Sequence, residues 1–326
     1  MILVTGATGF VGSRVAAIAG ARGNQRLRLA LHRGRPAELP PGPVETVEAD
    51  LSDPGSVRGL CDGVRVVLHC ASHVGTDPDL CDAVNARGTR ALVEEAQRAG
   101  VARIVYLSTA AVYGDGVHRE LAEGGAVCLP VSAASRSRLN AEWSVLRAAG
   151  TVLRPYLVYG TGDRWFVPAA VELLAAMGGL VDRGRARLSL VDVDALAAVI
   201  VAAAAAPPGS LTGVYHAGHP RPVQVRALHA AMVRHLGVPA LSHPDLPYEH
   251  ALLRVRSSRR HHLDMLAVDH WFESSRIWAR TGCPPGAGFA RSFARHAPWY
   301  RGLLASRAAE SRFPRAPHSD VMNGAD

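Results

Sequence analysis

The chain has 326 residues, 48% of them hydrophobic and 20% charged, with a formal charge of +8. That length can bury a sizeable core, and no apolar run is long enough to read as a transmembrane helix. All 36 basic residues are arginines spread along the chain, a pattern that fits a diffusely basic enzyme and excludes no acidic ligand. No recognisable nucleic-acid module accompanies them, so neither a nucleic-acid nor a membrane partner is expected. The five cysteines are scattered and odd in number, and Met1 leads straight into an apolar strand pattern without a charged leader. Together these predict reduced thiols and a cytoplasmic protein.

In chain order, Ile2–Thr5 reads as a strand, and Phe10–Ala21 as the helix that follows it. Between them runs Gly6-Ala7-Thr8-Gly9-Phe10-Val11-Gly12. In such a triad the first glycine permits the tight turn, the second lets backbone approach a pyrophosphate, and the third lets helix pack on strand. Thr5, Gly6, Thr8, Gly9, Phe10, Val11 and Gly12 are therefore candidate dinucleotide-binding residues. A second strand, Leu27–His32, ends without the carboxylate that would accept bonds from an adenosine ribose. Arg33, with Arg14 just after the glycine turn, is instead placed to clamp a 2′-phosphate. NADPH is the expected cofactor, with NADH as a tolerated alternative.

Further strands are predicted at Val64–Cys70, Ala102–Leu107 and Thr151–Arg154, and helices at Leu80–Ala99 and Ala133–Ala148. This alternation predicts an α/β protein with a doubly wound parallel sheet. Beyond about residue 160 it loosens. Helices are expected at Phe166–Met177, Val193–Ala206 and Val225–Leu236, a short strand at Val214–Ala217, and only short helices over 238–300. The organisation expected is a dinucleotide domain over 1–160 and a small C-terminal substrate lobe over 161–304, with some segments returning to the sheet. A flexible tail is expected over 305–326.

Ser108-Thr109-Ala110-Ala111-Val112-Tyr113-Gly114 resembles the catalytic strand end of the extended short-chain dehydrogenases/reductases, the epimerase/dehydratase-like group with a Rossmann-type fold. The resemblance extends through Glu48-Ala49-Asp50-Leu51, His69-Cys70-Ala71-Ser72, Val84-Asn85-Ala86-Arg87-Gly88-Thr89, Leu153 to Gly160, and Val191-Asp192-Val193-Asp194. It implies cofactor contacts from Asp50 (to the adenine amino group), Leu51, Cys70, Ala71 and Ser72, and from Pro155 and Val158 in the loop over the nicotinamide. It also implies a structural role for Asn85.

The same resemblance calls for a Tyr-x-x-x-Lys pair, and this chain lacks it. Counting from Thr109 leads to Ala134, and the Arg138-Leu139-Asn140-Ala141-Glu142 run independently fixes Arg138 at the lysine position. Alanine transfers no proton, whereas Arg138 keeps a charge that could still hold the ribose. General acid catalysis is worth about 10²–10⁴ in rate, so its source matters. Three are conceivable: the hydroxyls of Thr109 and Ser108, a surrogate from Tyr113, Tyr156 or Tyr159, or an acidic hydroxyl on the substrate itself. The third is the favoured expectation.

A closer resemblance, to the angucyclinone ketoreductases of the simocyclinone type, implies reduction of one carbonyl of a polycyclic aromatic polyketide in antibiotic biosynthesis. Trp165, Phe166, His219 and Pro220 would then offer flat apolar surface. The alternatives are an NADPH-binding sensor without turnover and a nucleotide-sugar epimerase or dehydratase, the latter disfavoured by the missing tyrosine. His69, His73 and Cys81 lack a fourth ligand and read as structural or cofactor-contacting residues, so no metal is expected. Asp192 and Asp194 read as turn and helix-cap residues. Sequence leaves the oligomeric state open.

Overall fold

The computed structural model describes residues 1–23, 25–36, 38–207, 209–256 and 260–312. Its first half contains β1 (Ile2–Thr5), α1 (Phe10–Ala21), β2 (Leu27–Leu31), β3 (Val44–Glu48), α2 (Pro54–Val57), β4 (Val66–His69), α3 (Pro78–Cys81), α4 (Gly88–Arg98), β5 (Arg103–Leu107), β6 (His118–Leu121), α5 (Ala133–Arg147) and β7 (Thr151–Arg154). There follow β8 (Leu157–Tyr159), α6 (Phe166–Met177), β9 (Gly179–Val181), β10 (Arg187–Leu188), β11 (Leu190–Asp192), α7 (Val193–Ala205), β12 (Gly213–His216), β13 (Val223–Gln224), α8 (Val225–Leu236), β14 (His243–Leu246), α9 (Tyr248–Arg254), α10 (Arg260–Ala267), β15 (His270–Phe272), α11 (Ser275–Thr281) and α12 (Phe289–Arg312).

The main sheet has the order β12-β7-β5-β4-β1-β2-β3, with every pair parallel. The chain runs outward from β1 in one direction and then from β4 in the other, so the strand order reverses between these two. A crevice opens there at the carboxyl ends. The period-two alternation of the strands divides the core between two faces. Val4 and Leu68 point to the layer of Val15, Leu196 and Ile200 from α1 and α7. Leu3 and Val67 point to Leu92 of α4 and Val145 of α5. Each such buried side chain contributes about 1.5–3 kcal/mol, which makes the sheet a rigid platform for what lies at its end.

A four-stranded sheet, β13-β10-β15-β6, belongs to the lobe together with α6, α8, α9, α10 and α12, and a third apolar cluster centres on Leu173, Leu228 and Phe293. The two parts interleave. β6 leaves the first half to pair with β15, while α7 and β12 return to the main sheet.

The structure departs from the sequence expectations in the strands of the lobe, none of which was expected, and at three further places. Val44–Glu48 is an additional edge strand in which half-buried Glu45 and exposed Thr46 and Glu48 hide the hydrophobic pattern. The expected helix over 80–99 is α3, a π-helical turn at Asp82–Arg87, and then α4. Instead of short pieces, the C-terminus carries α12, 24 residues long with Pro298 inside it. It runs through 305–312, where a loose tail was expected; residues 313–326 lie outside the described residues. Among the described residues, no helix is long and apolar enough to cross a membrane.

Candidate active site

The glycine turn is built by close contact. Gly6 has φ of 69°, and a Cβ there would fall 2.7 Å from the backbone nitrogen of Ala71. A Cβ on Gly12 would fall 2.1 Å from the Gly6 carbonyl oxygen. Gly9 stands as the N-cap of α1, with no side chain over the free N–H groups of the first turn. This is a cradle that side chains would fill, with helix N–H groups facing an anion position.

The cleft above it is lined by Thr5, Gly6, Thr8, Gly9, His32, Arg33, Asp50, Leu51, Ser52, Cys70, Ala71, Ser72 and His73, with Leu80 and Val84 at one side. Its floor is pinned by a buried relay. Thr5 Oγ1 accepts from Ala71 N at 3.3 Å and is hydrogen-bonded to His69 Nδ1 at 2.6 Å, and His69 Nε2 is hydrogen-bonded to Thr89 Oγ1 at 2.8 Å. Burial, reinforced by the Arg138 charge, pushes His69 down to about 3 and keeps it neutral. His69 is thus structural, and Cys81, buried, points its thiol at the Gly75 carbonyl, so neither serves as a metal ligand.

At the adenine side, Asp50 accepts from Ser52 N and Oγ at 2.8 and 2.7 Å and faces His32 Nε2 at 3.1 Å. The Ser52 bonds chiefly, and His32 secondarily, hold its carboxyl below the ordinary range. Arg33 lines the same end, where Gly34 passes over Thr8. Arg14 requires a correction. It lies on the α1 face that packs on α7, and its Nε donates to Asp194 Oδ1 at 2.6 Å, away from the cleft lining. Phe10 sits beneath Gly162, Val11 packs in the core, and Pro155 is buried with its carbonyl accepting from Ala110 N at 2.8 Å. Val158, half-buried on β8, pairs with Val191, so the Pro155 and Val158 side chains support the cleft, while Phe10 and Val11 offer it the backbone N–H groups of the first turn of α1.

The reaction end lies where β5 meets α5. Thr109 caps the short 3₁₀ turn Ala110–Tyr113 by accepting from Ala111 N at 3.1 Å, which leaves its hydroxyl proton available. Ser108, in contrast, is fully buried and donates to Glu142, so it does not contact substrate as expected. Ala134 occupies the first turn of α5, and Arg138 follows one turn later on the same face. Arg138 Nη2 donates to the carbonyls of Leu107 at 2.8 Å and Ser108 at 2.6 Å, while its buried Nε has no partner among the described residues. The guanidinium is therefore anchored to the strand end through Nη2, with its buried Nε unpartnered among the described residues.

Of the three tyrosines, Tyr113 has its hydroxyl committed. Tyr113 accepts from Arg154 Nη1 at 2.8 Å and donates to His216 Nε2 at 2.8 Å, and His216 Nδ1 in turn meets the Glu273 carbonyl at 3.0 Å. Burial raises Tyr113 and lowers His216, so both stay neutral. Tyr159 is 2% exposed and Tyr156 stacks on His270, with burial raising both phenols far above neutrality. The same interior holds a nearly solvent-free ion pair, Arg154 with Glu142, in which Nε meets Oε1 at 3.0 Å and Nη2 meets Oε2. Sequence reading gave Glu142 and His216 no role. The one available signal was the four-residue spacing of Arg138 and Glu142, which puts both on one face of α5.

Asp192, Asp194 and His296 gather within metal-ligand distances of one another. Their charges are already used. Arg295 Nη2 meets Asp192 Oδ2 at 2.8 Å, His296 Nε2 meets it at 3.0 Å, and Arg14 holds Asp194. Asp192 also caps α7 by accepting from Asp194 N and Ala195 N.

The sequence profile of the NAD dependent epimerase/dehydratase family matches residues 2–218, ending just after β12 completes the main sheet. The chain belongs to this family. It is 30% identical over 257 residues to the 2-alkyl-3-oxoalkanoate reductase of Stenotrophomonas maltophilia, covering 73% of this chain and 76% of that one. It is 33% identical over 133 residues to the decarboxylating sterol-4-alpha-carboxylate 3-dehydrogenase of Saccharomyces cerevisiae, covering 37% and 38% of the two chains. Among solved structures, WbmH of Bordetella bronchiseptica in complex with NAD+ superposes with a TM-score of 0.73 at 21% identity, over 92% of this chain and 98% of that one. The UDP-glucose 4-epimerase of Thermotoga maritima does so with 0.73 at 19% identity, over 93% and 99%. At such identities the structures establish the fold. The cleft at the β1–β4 reversal of this family member is its nicotinamide dinucleotide site, and the glycine cradle fits that group.

Proposed function

We propose that the protein is an NADPH-dependent ketoreductase whose substrate carries an acidic hydroxyl beside the reacting carbonyl, such as a polycyclic aromatic polyketide of the angucyclinone type. The observation that carries this reading is Ala134 on α5, with Arg138 tied to Leu107 and Ser108 and the Tyr113 hydroxyl committed inside. The reaction end thus has a position for a carbonyl and no side-chain acid to protonate it. Thr109 can donate a hydrogen bond to the carbonyl oxygen, but a hydroxyl of such high pKa is a poor proton source.

When bound, the dinucleotide supplies hydride. The chain's contribution is to position and to exclude water. The glycine turn and the N-terminus of α1 hold the pyrophosphate, and Arg33 faces the ribose end, where a 2′-phosphate would find a guanidinium and no competing carboxylate at the end of β2. As the carbonyl carbon takes hydride, the proton of a neighbouring phenolic or enolic hydroxyl passes to the new alkoxide oxygen, and solvent restores that proton after release. The names of the sequence relatives support a ketone or secondary alcohol on an apolar skeleton: an alkyl oxoalkanoate for one and sterols for the other.

The test is NADPH oxidation with 8-hydroxy-1-tetralone against 8-methoxy-1-tetralone. The expected result is turnover of the first and loss of about 10²-fold or more with the second. Equal rates would overturn the reading. NADPH binding without turnover of any such ketone would favour a sensor instead.

A further inference from the structure

The segment between the Tyr113-Gly114 turn and α5 has its polarity inverted. Along Val127-Cys128-Leu129-Pro130-Val131 the side chains alternate. Cys128 joins the buried cluster of Val112, Tyr113 and Phe272, while Val127, Leu129 and Val131 are 75%, 67% and 47% exposed. A segment with one face on the core ordinarily turns polar side chains outward. Single exposed apolar residues are unremarkable, but a contiguous row marks a binding surface.

Its location is fixed from both sides. The Leu129 carbonyl lies so close to Gly114 that a Cβ on that glycine would fall 2.1 Å from it, and Gly114 ends the turn that Thr109 begins. Val131 precedes Ser132, the N-cap of α5, so Ala134 lies within the turn that follows. On the other flank, Asn85 Nδ2 donates to the His73 carbonyl and to Ser137 Oγ, both at 2.9 Å, and Ser137 Oγ donates to the Ala134 carbonyl at 3.1 Å. That chain of bonds holds the loop of Val74, itself 56% exposed, against the same turn of α5. His73 and Leu80 meanwhile line the dinucleotide cleft, so the loop of Val74 borders the cofactor site.

We infer that Val127, Leu129 and Val131, with Val74 opposite, form the specificity platform that holds the uncharged apolar body of the ketone substrate. The inference rests on the ketoreductase reading. The border that the Val74 loop shares with the cofactor cleft identifies the occupant as substrate, and the chemistry of the four side chains selects its class. A fused-ring or alkyl skeleton gains by covering them, whereas the diphosphate of a nucleotide sugar would meet no donor on them.

The test uses the full chain loaded with NADP+ and 1-tetralone as probe, with binding measured by calorimetry for the wild type and for V127S/L129S. Both positions face solvent, so the fold is retained. The expected result is a Kd for tetralone raised at least tenfold, with unchanged Kd for NADP+ and unchanged Tm. Equal tetralone affinity in the two proteins overturns the platform. So does a wild-type dimer that the double variant converts to monomer while tetralone affinity stays the same, since the row would then be a contact between copies. If tetralone binds as expected but no hydroxyketone oxidises NADPH, the reduction reading fails and the platform stands. If 8-hydroxy-1-tetralone is reduced by the variant at unchanged KM, the platform fails and the reduction reading stands.

Discussion

Arg138 Nη2 donates to the carbonyl of Ser108 at 2.6 Å, fastening the second turn of α5 to the end of β5. The position that resembles a catalytic lysine is occupied here by a clasp. Arg138→Ala leaves the Leu107 and Ser108 carbonyls without this donor and is expected to destabilise the fold by about 1–3 kcal/mol, read from urea unfolding.

The proton source can be put back. In the double variant A134Y/R138K, a phenol stands on the face of α5 that Arg138 marks. Reduction of 8-methoxy-1-tetralone is then expected to rise by about 10²-fold, with little change for the hydroxy compound. No gain in a variant that still folds and binds NADPH would count against the substrate-borne proton.

Glu142 is 1% exposed and forms its ion pair with Arg154. Glu142→Gln leaves a buried guanidinium uncompensated and is expected to cost about 3–5 kcal/mol, visible as a lowered Tm. It also removes the carboxylate that accepts from Ser108, so the strand end loosens together with the pair.

Arg33 and Arg14 are expected to behave differently. Arg33→Ala should weaken NADPH binding at least tenfold and NADH binding much less, since only the former carries the extra phosphate. Arg14→Ala should leave both affinities unchanged and lower stability by no more than about 1 kcal/mol, because its pair with Asp194 is half exposed. Titration of the two dinucleotides into each variant checks both statements.

Acidification should unfold the protein through its buried histidines. Burial, with a minor push from Arg138 or His118, holds His69 down to about 3 and His270 down to about 4. Unfolded histidine titrates near 6.5, so between these values the unfolded chain binds more protons than the folded one. Stability is full above about 6.5 and falls with pH through that window, by an amount on the order of a few kcal/mol. Urea midpoints at pH 7 and pH 5 test this, with His270→Asn expected to flatten the dependence.

The fold was readable wherever pattern and period agree. β1, the glycine turn and α1 follow from Ile2 to Ala21 because the apolar strand, the three glycines and the helix that follows are all set by local geometry. β3 was not readable, since an edge strand with one solvated face carries Glu45 and Glu48 where a buried strand would be apolar. Arg14 was misassigned for a related reason. Its nearness to the glycine turn is local, but its direction is set by Asp194, 180 residues away. At the reaction end, the register of Ala134 and Arg138 was legible, while the burial of Ser108 depends on Glu142 and Arg154 meeting across two elements. The length of α12, which continues through Pro298, was likewise not read from a region expected to hold only short helices.

The π-helical turn at Asp82–Arg87 has a consequence for phasing. Such a turn accommodates one residue more than an α-turn, and one residue corresponds to about 100° of helical rotation. Within it Asn85 reaches inward to His73 and Ser137; downstream Leu92 and Ala96 face the sheet. Removing a single residue here would reset the helix to even winding and turn one of those two faces away, so the wide coil works as a gear offset between the substrate-side loop and the core.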